Sequence, residues 1–184
     1  AFPGLRDGKL WSWSHMAGVR PGFQGQKIGF KLKQVQRLWA LDNDYDIIAW
    51  TFDPMQRGNA NFNFRQLGAT ARTYYVDHYG AMQDKINAGL ASDRLEAEWH
   101  LNDPHVVDLA AGSSPTTKPE DFTDSSFLVS VGDDDVIHSH MPDQFEHDTY
   151  CVEIPYHVAQ LKQTRLEYAK TWQIHARTAI TTLL

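Results

Sequence analysis

The residues with the clearest chemical potential lie between Val19 and Phe30, reading Val-Arg-Pro-Gly-Phe-Gln-Gly-Gln-Lys-Ile-Gly-Phe. A strand-like run precedes them, Pro21 and Gly22 suit a turn, and an amphipathic helical pattern follows from Ile28. The first backbone N–H groups of a helix have no partner inside it and converge on one point, which favours an anion such as a phosphate. From Arg20 to Arg37 the charged residues are Arg20, Lys27, Lys31, Lys33 and Arg37, with no Asp or Glu among them, in a chain of formal net charge -6. A basic segment in an acidic protein points to a local site for an anionic ligand and away from a general nucleic-acid surface. A solvated helix face that happens to be basic is the other reading of the charges alone.

Other side chains can move protons or hold ions. His15, on a strand rich in Trp, has an ordinary pKa of about 6.5 and in its neutral form can deprotonate an amine, or it can simply pack. Asp53, before Pro54 at a strand end, can orient an amine or polarise His15, or serve as a turn residue. Asp77 and His78 follow another strand and read as loop residues or substrate contacts. Asp133-Asp134-Asp135, His138-x-His140, His147 and Asp148 crowd metal-capable groups together, and His-x-His on a strand puts both imidazoles on one face. That stretch is polar and loop-like, with Cys151 its sole nearby thiol, and no metal is expected.

These residues need a scaffold. Leu5-Arg6-Asp7-Gly8-Lys9 reads as a hairpin turn on Asp-Gly. Leu10–Val19 alternates as a strand, with Trp11, Trp13, His15 and Ala17 on one face and Ser12, Ser14, Met16 and Gly18 on the other. Ile28, Leu32, Val35, Leu38 and Trp39 form one apolar stripe on a helix running to about Leu41, and Ile47–Phe52 is a continuous apolar run suited to a central strand. Strand, crossover helix and strand in this order predict a right-handed parallel unit. A second helix spans Ala60–Leu67 and stops at Gly68, strands cover Thr70–Val76 and Arg94–Leu101, and Met82–Leu90 is helix-like. The composition shifts over Asp103–Ser126, a linker or mobile loop; Phe127–Val131 and Tyr150–Pro155 then read as strands and Tyr156–Leu184 as one long helix.

Composition sets bounds. A chain of 184 residues with 42% hydrophobic and 22% charged residues suits one domain, or a domain with an extension. Cys151 is alone, which rules out an intrachain disulfide and suits a reducing compartment. No run reaches membrane-span length and no signal segment opens the chain, so a cytoplasmic location and no membrane partner are expected.

Gln24-Gly25-Gln26-Lys27-Ile28-Gly29 resembles the Gln/Arg-x-x-Gly-x-Gly/Ala signature of the GNAT acyltransferases, with Gln24 and Gly29 matching and Lys27 standing where the family usually has Gly. Trp13–Val19, Trp50–Met55, Arg57-Gly58-Asn59-Ala60 and Leu67-Gly68-Ala69 follow in the order and spacing of one branch, and Val152–Pro155 resembles that branch's C-terminal extension. The resemblance covers residues 1–100 and, more loosely, 150–180. It implies a mixed α/β, partial GNAT-like fold with a central mixed sheet flanked by helices and a C-terminal strand and long helix. The expected division is an acyl-CoA-binding core over 1–101, a linker over 102–126 and an extension over 127–184. In the family pattern the first strands and two helices precede the Asp-Gly hairpin, so the chain reads as cut at both ends.

The implied activity is transfer of an acetyl or similar acyl group, such as succinyl, from coenzyme A to the amine of a small molecule, an amino acid being one such acceptor. The implied cosubstrate site comprises Met16, Ala17, Gly18 and Val19 for the pantetheine, Gln24, Gly25, Gln26, Lys27, Ile28, Gly29 and Phe30 for the pyrophosphate, and Asn59 at the next helix start. His15 and Asp53 are the implied base and its partner. The family's thiolate-protonating Tyr is replaced by Phe64, so Tyr74, Tyr75 or Tyr79 is expected to substitute, with Tyr75 taken as the acid, or solvent protonates the thiolate. A homodimer and, as the competing function, a non-catalytic binding module complete the expectations.

Overall fold

In the computed structural model, which describes residues 1–80, 89–114, 123 and 126–184, Asp7 and Gly8 both take positive φ (51° and 76°), as a two-residue hairpin loop requires. They join β1 (Phe2–Arg6) to β2 (Lys9–Trp13) in antiparallel register, Leu5 opposite Leu10. A Cβ on Gly4 would lie 2.1 Å from the Trp11 indole nitrogen, so any other residue here would displace that ring. From β2 the chain passes through helix α1 (Ile28–Leu41) to β3 (Ile47–Phe52), which pairs parallel to β2 with Trp11 opposite Ile47. The expected parallel pair is therefore present, with α1 and β3 on their expected bounds.

Helix α2 (Arg57–Ala60) runs into a π-helical turn, Asn61–Gln66, which ends at Gly68 with φ 71°. Strands β4 (Thr70–Tyr75) and β5 (Arg94–His100) follow, giving the sheet order β1-β2-β3-β5-β4. Helix α3 (Pro104–Ala110) starts on Asp103, whose side chain accepts the His105 N–H. Strands β6 (Phe127–Val131), β7 (Ile137–Ser139) and β8 (Cys151–Val152) form a second sheet, antiparallel between β6 and β7 and parallel between β6 and β8. Helices α4 (Val158–Thr164) and α5 (Leu166–Leu183) close the chain. The architecture is mixed α/β with two mixed sheets.

The elements divide into two units interleaved along the sequence, Ala1–Phe52 with Gly58–Arg72 and Leu95–Pro115, and Asp53–Arg57 with Thr73–Arg94 and Thr116–Leu184. In the first, buried Ile47, Ile48, Trp50, Leu67, Trp99 and Leu101 supply the core, with Trp50 and Trp99 edge to face at 6.2 Å and the Trp99 N–H donating to the Leu67 carbonyl at 2.8 Å. In the second, Met55, Leu128, Val129, Val158, Trp172, Ala176 and Ala179 form a separate core.

Four expected boundaries need correction. The strand read over Leu10–Val19 stops at Trp13, with Ser14 adding one last bond to Ala49 at 2.8 Å, because the chain must leave β3 there to reach α1. The linker read over Asp103–Ser126 begins with α3, whose Val106 and Leu109 are buried; residues 115–122 and 124–125 lie outside the described set, as do 82–88 of the helix-like stretch. The strand read over Tyr150–Pro155 shrinks to Cys151–Val152. The single C-terminal helix is broken at Arg165 (φ -147°, ψ 61°), whose guanidinium pairs with Asp135 and covers the Tyr168 ring at 3.9 Å.

Helix α1 is inside out relative to its pattern. Leu32, Val35, Leu38 and Trp39 are 51%, 66%, 58% and 49% exposed, whereas Lys33, Arg37 and Ala40 are buried. The surface beneath explains this, since β2 presents its small serine face inward, with Ser12 and Ser14 buried, and accepts donors there. Lys33 Nζ lies 3.2 Å from Ser14 Oγ and 3.6 Å from the centroid of the Trp50 ring, and Arg37 donates twice to the Leu101 carbonyl, at 3.1 and 2.6 Å.

Candidate functional site

The turn into α1 is built by backbone conformations more than by side chains. Gly22 and Gly25 have φ of 87° and 77°, and Lys27, immediately before the helix, is left-handed at φ 58°, ψ 15°. Glycine takes that conformation without strain, whereas a residue with a Cβ does not. Gln24 Nε2 donates to the Val19 carbonyl at 3.2 Å and Gln26 Nε2 to the Gly22 carbonyl at 3.4 Å, so both amides shape the loop itself. The first α-helical bond runs from Lys31 N–H to the Lys27 carbonyl at 3.0 Å. No side chain caps the helix start and no acidic residue sits in its first turn. The N–H groups of Ile28, Gly29 and Phe30 are thus those the helix leaves unpaired by geometry.

Within the first unit the loop meets two other expected parts. A Cβ on Gly29 would lie 3.8 Å from the Phe62 ring and 3.9 Å from Val19 Cγ2, so the loop, the Val19 end and the π-helical turn share one neighbourhood. Pairing of β2 with β3 ends at Ser14 and Ala49, while β3 continues through Trp50, Thr51 and Phe52, and Met16, Ala17 and Gly18 beyond the divergence are exposed. His15 is exposed just past the end of β2, and Asn59 is exposed within α2. Phe64 packs edge to face on Phe52 at 5.5 Å. Of the basic run only Arg20, Lys27 and Lys31 face solvent; Lys33 and Arg37 are turned inward.

In the second unit, Asp53 Oδ1 accepts the Met55 N–H at 2.9 Å and the Asp53 carbonyl accepts the Gln56 N–H at 3.0 Å, an arrangement that fixes the turn after Pro54. Tyr75 is half-buried with its ring 4.9 Å from that of His78. Tyr74 donates to Asp93 at 2.7 Å, and burial together with that carboxylate pushes its phenol well above the usual range, which removes it as a proton donor. Asp93 is fully buried and also takes two bonds from Arg177, at 2.8 and 3.0 Å, and the Asp77 N–H at 3.0 Å.

One group escaped sequence reading. Ser14, Lys33, Gln36 and Trp50 form a buried polar cluster in which Lys33 Nζ also reaches Gln36 Oε1 at 3.1 Å, and burial lowers the Lys33 pKa from 10.5 to about 8. The signal available was that positions 33, 37 and 40 share one helix face. The second unit also has a cavity of about 580 Å³ lined by His140, Met141, Asp143, Glu146, His147 and Tyr150. Among the described residues no three His, Cys, Asp or Glu side chains converge as a metal site, and no helix is long and apolar enough to cross a membrane. No protein-family model matches the chain, and no curated protein matches it either.

Proposed function

We propose that this chain binds an acyl-CoA at the start of α1 and serves as a GNAT-type N-acyltransferase, moving an acetyl or longer acyl group such as succinyl to the amine of a small molecule. One observation carries the reading: an uncapped helix start after left-handed Lys27 adjoins a strand that leaves its parallel neighbour after Ser14. The unpaired N–H groups of Ile28, Gly29 and Phe30, with Lys27 and Lys31, take the pyrophosphate. The backbone of exposed Met16, Ala17 and Gly18, with the N–H of Val19, takes the pantetheine, and Asn59 its far side. A neutral His15 accepts the amine proton, and the amine nitrogen attacks the thioester carbonyl. An N–H of Ala17–Val19 stabilises the oxyanion, and the C–S bond breaks. Solvent protonates the thiolate.

Phe64, packed on Phe52 where a hydroxyl would serve, favours a second reading, an acyl-CoA-binding module without transfer. Isothermal titration with acetyl-CoA and succinyl-CoA tests both readings. Micromolar binding is expected, weakened at least tenfold in a Gln24→Ala, Gly29→Glu variant. The new Cβ at position 29 meets only ordinary contacts, so the fold should tolerate it while the carboxylate repels the anion. Binding without turnover on any amine would support the module, and absence of binding would remove both readings.

A further inference from the structure

Helix α1 turns an apolar stripe to solvent, and we infer that a second copy of this chain covers it, with the two α1 helices antiparallel about a two-fold axis at Val35. The outward residues are Ile28, Lys31, Leu32, Val35, Leu38, Trp39 and Asp42, all exposed except half-buried Ile28. Their spacing is the same read from either end, with Leu32 and Leu38 alike, Lys31 exchanged for Trp39 and Ile28 for Asp42. An antiparallel pair centred on Val35 sets residue i against residue 70 - i, so Leu32 faces Leu38 of the second copy and Lys31 faces its Trp39. Lys27 comes beside Asn43, between Asp42 and Asp44, so this pairing and an anion at the helix start compete for Lys27 and Lys31.

The charge distribution selects this orientation. The outer surface is basic at the helix start, through Lys27 and Lys31, and acidic just past its end, through Asp42 and Asp44. An antiparallel pair brings unlike ends together, in accord with the helix dipoles, and a parallel pair brings like ends together. Lys31 over the indole of Trp39 adds a cation–π contact. The stripe cannot turn into its own unit, because the opposite face is already committed through Lys33 to Ser14 and Trp50 and through Arg37 to Leu101. A helix of 14 residues is about 21 Å long, so the interface sits at the small end for specific association.

Sedimentation equilibrium of the full chain should show a reversible monomer–dimer equilibrium that Val35→Glu weakens at least tenfold. In a Cys151→Ser background, Val35→Cys should crosslink to itself on mild oxidation, because the two copies of residue 35 meet at the axis. Lys31→Cys should not, since its copies stand about 12 Å apart along the helices. Lys31→Asp should weaken the dimer and Asp42→Lys added to it should restore it. A monomer at every concentration, crosslinking of both cysteine variants alike, or a dimer that survives Val35→Glu without the position-35 crosslink would each overturn the inference.

Discussion

Lys33 holds an amine against an indole, a hydroxyl and an amide oxygen, and none of these three partners is a carboxylate. Its pKa, lowered by burial to about 8, makes stability depend on pH with a definite sign. Between about 8 and 10.5 the unfolded chain binds more protons at this site than the folded one, so the folded state gains as pH rises through that window. The gain is complete above 10.5 and is lost as pH falls through 8. For a shift of this size it amounts to roughly 3 kcal/mol. Denaturant titrations at pH 7.5 and 9.5 should show the rise, less whatever other groups contribute, and Lys33→Met should flatten it. Lys27 poses a different problem, a left-handed backbone under a side chain, so Lys27→Gly should stabilise by about 0.5–1 kcal/mol in the same assay. Neither property was legible in the sequence, where Lys27, Lys31 and Lys33 are equal members of one basic run. Burial depends on what β2 and β3 place beneath the helix, and only the fold brings Ser14 and Trp50 there.

At the level of elements, α1 and β3 were legible to the residue because periodicity and continuous apolar content mark them from within. The facing of α1 was not, since the rule that the apolar stripe turns inward assumes an apolar surface to receive it, and β2 offers serines. Helix α3 was hidden by the polar composition around it, although Asp103-Pro104 is a helix-start pair. The break at Arg165 carries no Gly or Pro and follows from the tertiary contacts of Asp135 and Tyr168. Gly68, by contrast, was read correctly as a helix stop. Its φ of 71° and the 3.0 Å approach of Leu109 Cδ1 to a would-be Cβ mean that Gly68→Ala should cost about 1–3 kcal/mol, measurable as a lowered denaturation midpoint at unchanged slope.

Across the molecule, sequence order is a poor guide to which residues share a core. Residues 53–57 belong with the C-terminal helices, and 95–115 with the N-terminal hairpin. Asp93 shows what that interleaving asks of a single side chain, since one buried carboxylate ties Tyr74, the Asp77 backbone and Arg177 together. Asp93→Asn removes the charge that Arg177 faces and should destabilise the second unit by about 2–3 kcal/mol. Hydrogen exchange should then accelerate in α5 and residues 73–80 ahead of the β1–β2 hairpin. Long-range pairs of this kind, 84 residues apart, leave no local pattern to read. The anion loop was legible because its chemistry is local, confined to one turn and one helix start.

The concealed amine beneath α1 also makes the helix a clock. At pH 9 much of Lys33 is neutral and nucleophilic, yet its 6% exposure keeps reagents away, so an amine-acylating probe reaches it only when the helix lifts. Lys9, exposed on β2, acylates without waiting. The ratio of labelling at Lys33 to that at Lys9, followed by mass spectrometry, therefore reads how readily α1 opens in the intact protein, with the exposed lysine as internal standard.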